Sequence, residues 1–201
     1  MRVVPRRSVL PLFLLFFLSG FSGLVLEVVW VRLAALALGV TVFAVSTVVA
    51  GFMGGLALGG WLGAQVSDRR SLGVGAYALL EVGISASALA ATWFLTALPG
   101  ILGSSFFARA HTSSSQSVVL LEALLASLAL LVPCTLMGAT LPVLSRAVGS
   151  MEGPSRMIGW LYGVNTLGAV AGAFLTDLVL VPSLGVWQSA VLAASFNLLA
   201  G

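Results

Sequence analysis

Apolar residues fill the chain in long, almost unbroken runs, and short polar or Gly- and Pro-containing breaks separate six of them. The runs predict helices at approximately 9–31, 40–64, 72–97, 117–144, 158–181 and 184–200. At about 20 apolar residues per crossing, each suits a membrane span better than a soluble strand or surface helix. The second run carries a ladder, Gly51, Gly55, Gly59 and Gly63, and stops at Ser67, Asp68, Arg69 and Arg70. In water an interior glycine costs a helix about 1 kcal/mol relative to alanine. In a bilayer, small residues at i and i+4 let two helix backbones approach closely, so the ladder predicts tight packing. Three four-residue steps of 400° drift by about 120° in all, which predicts a slanting stripe that one neighbour does not cover, with room for a second helix or a subunit.

The breaks carry their own expectations. Only a few residues join the second and third runs, so those helices are expected to be antiparallel neighbours. The third is expected to end at Pro99 and Gly100. Pro133 and Pro142, with Gly138 between them, predict a bend or break in the fourth run. Pro182 and Gly185 predict a tight turn before the last helix. The longest connection, Leu98 to Gln116, is serine-rich; Phe106 and Phe107 beside Arg109 suit either a segment at the bilayer interface or a plain loop, and His111 is read as solvated. Gly159, Gly163, Gly168 and Gly172 form a looser counterpart of the ladder, so helices one to three and four to six are candidates for a structural repeat.

Composition excludes the soluble classes. Hydrophobic residues make up 60% and charged residues 7%, and mean hydropathy is +1.15, whereas a soluble domain has roughly a quarter of its residues charged. The net charge of +3 comes from arginine alone, with no lysine. Those arginines are scattered among separate polar breaks rather than clustered, which argues against nucleic-acid binding. Arg2, Arg6, Arg7, Arg69, Arg70, Arg146 and Arg156 fall on one side of a six-span layout, with only Arg32 and Arg109 on the other. The first side is therefore expected to be cytoplasmic, with both termini there and residues 1–8 forming a cytoplasmic N-terminal segment ahead of a membrane domain over 9–200. Arg6 and Arg7 before Ser8, Val9 and Leu10 faintly resemble a twin-arginine signal, but the apolar run is too long for one and an uncleaved first helix is expected.

Four acidic residues lie within the runs: Glu27, Glu81, Glu122 and Asp177. An ionised carboxylate at bilayer depth costs about 2.5–3.5 kcal/mol even on the lenient insertion scale, so such residues face a cavity or a partner. Helical rise puts Glu27, Glu122 and Asp177 at one outer level and Glu81 roughly 14 Å into helix three. Glu81 is the strongest candidate for a solute or proton site, with the other three forming an outward-facing acidic vestibule and Asn165 and Tyr162 of helix five adding polar contacts. The structural alternatives are pairing of Glu27 with Arg32 and hydrogen bonding of Asn165 between helices. Catalytic machinery is not expected: there is no phosphate loop, and one histidine does not make a triad with the residues around it. No metal site is expected, since His111 and the lone Cys134 do not make a ligand set, and no cofactor is expected in this chain.

Leu18-Ser-Gly-Phe-Ser-Gly-Leu-Val-Leu-Glu-Val-Val-Trp-Val-Arg-Leu33 resembles the first helix of membrane-bound, spermidine-synthase-like proteins. Thr41 to Gly63 with Ser67 to Arg70, Pro133-Cys-Thr-Leu-Met-Gly-Ala-Thr-Leu-Pro142 and Tyr162-Gly-Val-Asn-Thr-Leu-Gly-Ala169 resemble that family's later membrane motifs, in order. Gly59 to Arg70 is also similar to the loop between helices two and three of major-facilitator transporters. The resemblance implies an all-α integral membrane protein with six transmembrane helices, similar to half of a major-facilitator transporter, joined in the family to a cytosolic aminopropyltransferase. That enzyme's Gly-rich motif is absent here, so no catalytic residue is carried over and the chain alone is not expected to be catalytic. The last run reaches Gly201 without a polar tail, the pattern expected of the front part of a longer protein.

The resemblance implies an inner-membrane domain that anchors or supplies a polyamine aminopropyltransferase, and the intramembrane carboxylates suit it to binding a cation or a polyamine, or to a proton relay. The alternatives are a small-solute or proton-coupled transporter half acting as a homo-oligomer, and a structural assembly module. Expected partners are the lipid bilayer, the cytosolic enzyme and a second copy of the chain, with no nucleic acid.

Overall fold

The computed structural model describes residues 9–38, 41–69, 72–103, 115–148 and 154–201. Arg2, Arg6, Arg7, Arg70, Arg109 and His111, and the segment around Phe106 and Phe107, lie outside them. The described chain is all helix: α1 Val9–Leu38, α2 Thr41–Arg69, α3 Val74–Gly103, α4 Ser115–Val148, α5 Pro154–Leu175 and α6 Val186–Ala200. α5 runs on through a π-helical turn, Thr176–Leu180, and a last turn, Val181–Leu184. Gly185, with φ 84°, makes the turn into α6 that the sequence predicts there. Five helices are long and apolar enough to cross a membrane, and their outward faces carry leucine, valine and tryptophan side chains. The chain is a multi-pass membrane protein. α6, at 15 residues, spans only about 22 Å at 1.5 Å per residue, against about 30 Å of hydrocarbon.

The helices outrun the expected spans. α3 continues past Pro99 to Gly103, and α4 is unbroken through Pro133 and Pro142. Membrane helices tolerate proline because neighbouring helices and side chains satisfy the carbonyls that it frees.

The short link between α2 and α3 does not make them close neighbours. α2 packs chiefly on α4, and an apolar groove of about 350 Å³, lined by Leu62, Val66, Leu79, Leu80 and Leu136 among others, lies between α2, α3 and α4. The ladder is the cause. A Cβ on Gly51, Gly55, Gly59 or Gly63 would press on Ser127, Cys134, Thr135 or Ala139 respectively, all of them on α4. One helix therefore covers the whole stripe, contrary to the expectation of a second neighbour: α4 runs parallel to α2 and follows its slant.

The other most extensive contact joins α1 and α5, and it is built in the same way. Gly168 meets Phe17, Gly172 meets Phe21 and Gly20 meets Asn165. In the α2–α4 contact, Gly59 meets Thr135, Gly63 meets Ala139 and Gly138 meets Leu56. The first set becomes the second at one constant offset for α1 onto α4 and another for α5 onto α2. The sequences agree in that register: Gly59-x-x-x-Gly63-Ala64-x-x-Ser67-Asp68 matches Gly168-x-x-x-Gly172-Ala173-x-x-Thr176-Asp177, and Leu18-x-Gly20-x-Ser22 matches Leu136-x-Gly138-x-Thr140. α1 with α6 and α3 with α4 exchange likewise, and α3 with α6 maps onto itself. Three helices per half is an odd number, so the exchange reverses direction: this is an inverted repeat. Gly159 and Gly163, expected as part of the counterpart ladder, have open space where a Cβ would stand.

Candidate functional site

Two buried layers divide the bundle along its length. Near the Asp68 end, Phe16, Tyr77, Val143, Leu144 and Leu161 pack together. Towards the Arg32 end, a larger cluster includes Leu26, Val29, Trp30, Ala88, Leu95 and Leu130. Between them, where α1, α3 and α6 meet, lies a polar layer around Glu81.

Glu81 is fully buried, seven residues after the start of α3 and so about 10 Å along it by helical rise. Parallel packing of α1 on α3 sets its surroundings. Phe16 stacks edge-on against Tyr77 with ring centroids 6.1 Å apart, and Trp30 Nε1 donates to Thr92 Oγ1 at 3.0 Å. Between those two anchors, Ser19 and Leu26 lie on the face of α1 turned to α3, and Ser22 falls between that face and Phe21, which packs on Phe196 of α6. From α6, Ser85 Oγ on α3 donates to the Ala194 carbonyl at 2.9 Å, and Gly201 lies against Ala78 and Glu81. Asn197, one turn before Gly201, is thereby brought between the levels of Glu81 and Ser85 and is 1% exposed.

Tyr77 and Ser19 approach the Glu81 carboxyl, yet neither closes a hydrogen bond of normal geometry. Both Glu81 oxygens, Tyr77 Oη, Ser22 Oγ and Asn197 Nδ2 are buried without a partner among the described residues. Buried polar groups are as a rule hydrogen-bonded, so this concentration is unusual. It is suited to holding a small positive charge in an otherwise apolar interior.

The remaining candidates do not join Glu81. Asp177 is paired with Arg32, whose Nη2 and Nε donate to Oδ1 at 2.7 and 3.1 Å. Arg32 therefore has Asp177, and not Glu27, as its ion partner. Glu27 is half-buried on α1, near enough to act electrostatically on Cys134 of α4. Glu122 is buried on α4, with Oε1 unpartnered. Asn165 Nδ2 donates to the Phe16 carbonyl at 3.0 Å, the interhelical bond that its sequence context allowed. Tyr162 is exposed. Asp68 lies 3.4 Å from Arg146 at the opposite end from Arg32, and Arg69 is exposed beside it. No cluster of three or more metal-ligating side chains occurs among the described residues.

Sequence reasoning singled out Glu81 but missed Tyr77, Ser19, Ser22 and Asn197. The four-residue spacing of Tyr77 and Glu81 was a usable signal, since it places both on one helix face. Asn197 carried none, because its pairing with α3 depends on the path of the chain through Gly185. No protein-family model, curated protein or solved structure matches this chain.

Proposed function

We propose that the chain is the membrane domain of a spermidine-synthase-like protein: a transporter-like unit of six crossing helices in the inner membrane, with both termini cytoplasmic. It anchors or supplies a cytosolic polyamine aminopropyltransferase and takes up a cation at Glu81. The motifs resembling that family support the first part. The second rests on one observation, a fully buried carboxylate with no ionic partner among the described residues and unpaired polar atoms around it. A residue so costly at membrane depth is retained where a charge is handled.

A second reading, a solute transporter half that works as an oligomer, is favoured by the inverted repeat, the architecture on which many secondary transporters are built. Both readings place the cation at Glu81, and they differ in partner. Flux of labelled putrescine, spermidine and sodium into liposomes containing the full chain tests the common element: Glu81→Gln abolishes cation flux while the helical content stays unchanged. Undiminished flux of all three cations in that variant overturns the role of Glu81. Recovery of aminopropyltransferase activity with the affinity-purified chain supports the anchoring reading; flux by the isolated chain without it supports the second.

A further inference from the structure

The polar layer narrows the kind of cation that fits. Ser22 and Glu81 are 0% exposed, and Tyr77 and Asn197 are 1% exposed. A polyamine carries at least two ammonium groups on a methylene chain. Its charge exceeds the single negative charge at this junction. A divalent metal ion draws on six to eight oxygen ligands, commonly with several carboxylates, and only one is present here. A proton neutralises Glu81 but leaves Tyr77, Ser22 and Asn197 without partners.

One bare monovalent cation matches the charge and engages the oxygens together. Glu81 supplies two, Tyr77 and Ser22 one each, and the Asn197 amide supplies a fifth when turned end for end, its oxygen and nitrogen being nearly equivalent in shape. These donors come from α1, α3 and α6, so an ion held among them ties three helices at one level. In the inverted repeat the counterpart of α3 is α6, which carries no carboxylate, and Ser19 and Ser22 are replaced by Met137 and Thr140 of α4. The chain thus has one such junction among its described residues.

We infer that the junction of α1, α3 and α6 is a coordination site for a single desolvated monovalent cation of sodium size, held by Glu81, Tyr77, Ser22 and Asn197. This deepens, and rests on, the reading of Glu81 as a cation site.

The test is thermal unfolding of the full chain in nanodiscs as sodium chloride replaces choline chloride at constant ionic strength, with labelled sodium binding measured on the same sample. The unfolding midpoint is expected to rise saturably with sodium. Tyr77→Phe and Ser22→Ala, which keep the carboxylate, should each raise the half-saturating concentration about ten-fold, the equivalent of one lost ligand. Glu81→Gln should remove the response. A midpoint indifferent to sodium, a midpoint that follows pH alone, or a response that survives in Tyr77→Phe and Ser22→Ala unchanged overturns the inference, and the last two variants decide the matter if Glu81→Gln does not fold. Polyamine flux without any sodium response overturns this inference and leaves the proposed function standing. A sodium response without cation flux or enzyme association supports the site and overturns the proposed function.

Discussion

Arg32 Nη2 stands 2.7 Å from Asp177 Oδ1, closing an ion pair between α1 and α5. Asp68, the repeat counterpart of Asp177, stands 3.4 Å from Arg146 at the other end of the bundle, between α2 and α4. Each pair ties the C-terminal parts of two parallel helices. Their side chains are 43% and 56% exposed in the first pair and 56% and 73% in the second, so solvent screens both and each is worth at most about 1 kcal/mol. Asp177→Asn and Arg32→Gln should each lower the unfolding midpoint slightly, and the double variant should be no worse than either. A double-mutant cycle in nanodiscs measures the coupling; a value well above 1 kcal/mol contradicts a screened pair.

The glycines of α2 should divide into two classes. Gly59→Ala drives a methyl group into the Thr135 carbonyl of α4, and overpacking of this kind costs about 1–3 kcal/mol. Gly54→Ala meets nothing within 4 Å and should be neutral or slightly stabilising, because alanine is the better helix former. Denaturation of the two variants side by side checks the contrast; equal losses would mean that the α2–α4 contact is not as close as described.

Asn165 and Leu56 occupy counterpart positions, one polar and one apolar, each facing a glycine on the partner helix. Asn165→Leu should therefore be accommodated sterically and lose only the bond to the Phe16 carbonyl. Interhelical hydrogen bonds in membranes average about 0.6 kcal/mol, which sets the expected loss. A collapse in expression or a loss of several times that size would show that Asn165 does more than join α1 to α5.

The proposed six-crossing layout fixes where a reporter must appear. Fusions after Arg69 and at Gly201 should both report the cytoplasm, and a fusion in the 104–114 connection the opposite side. A periplasmic signal at Gly201 contradicts the layout, and α6, the shortest helix, is the element that such a result would remove.

Much of the helical architecture was legible because a bilayer leaves few options: apolar length gives the crossings, and the glycine ladder marks a close contact. Neighbour relations were harder to read. The short link after Arg70 suggested α2 on α3, but glycine packing draws α2 to α4, and loop length carries no information about that preference. The prolines misled as to where helices end or break, for a related reason. In water they end helices, whereas Pro99, Pro133 and Pro142 sit inside helices, as a membrane bundle tolerates. At the candidate site, Glu81 was legible from its cost alone, whereas Asp177 looked equally exceptional until Arg32 was found beside it. That pairing depends on α1 and α5 running side by side, which no local pattern announces.

The inverted repeat has a consequence for sidedness. A shell that maps onto itself only when turned over presents similar packing to both faces of the membrane, so the shared glycines, hydroxyls and aspartates give it no direction. Direction resides in the positions where the halves disagree: Asn165 against Leu56, Ser19 against Met137, and Glu81 with its polar neighbours on one side of the midpoint. Under the proposed cation-handling function, vectorial behaviour would therefore be a property of a few mismatched side chains set in a nearly indifferent scaffold.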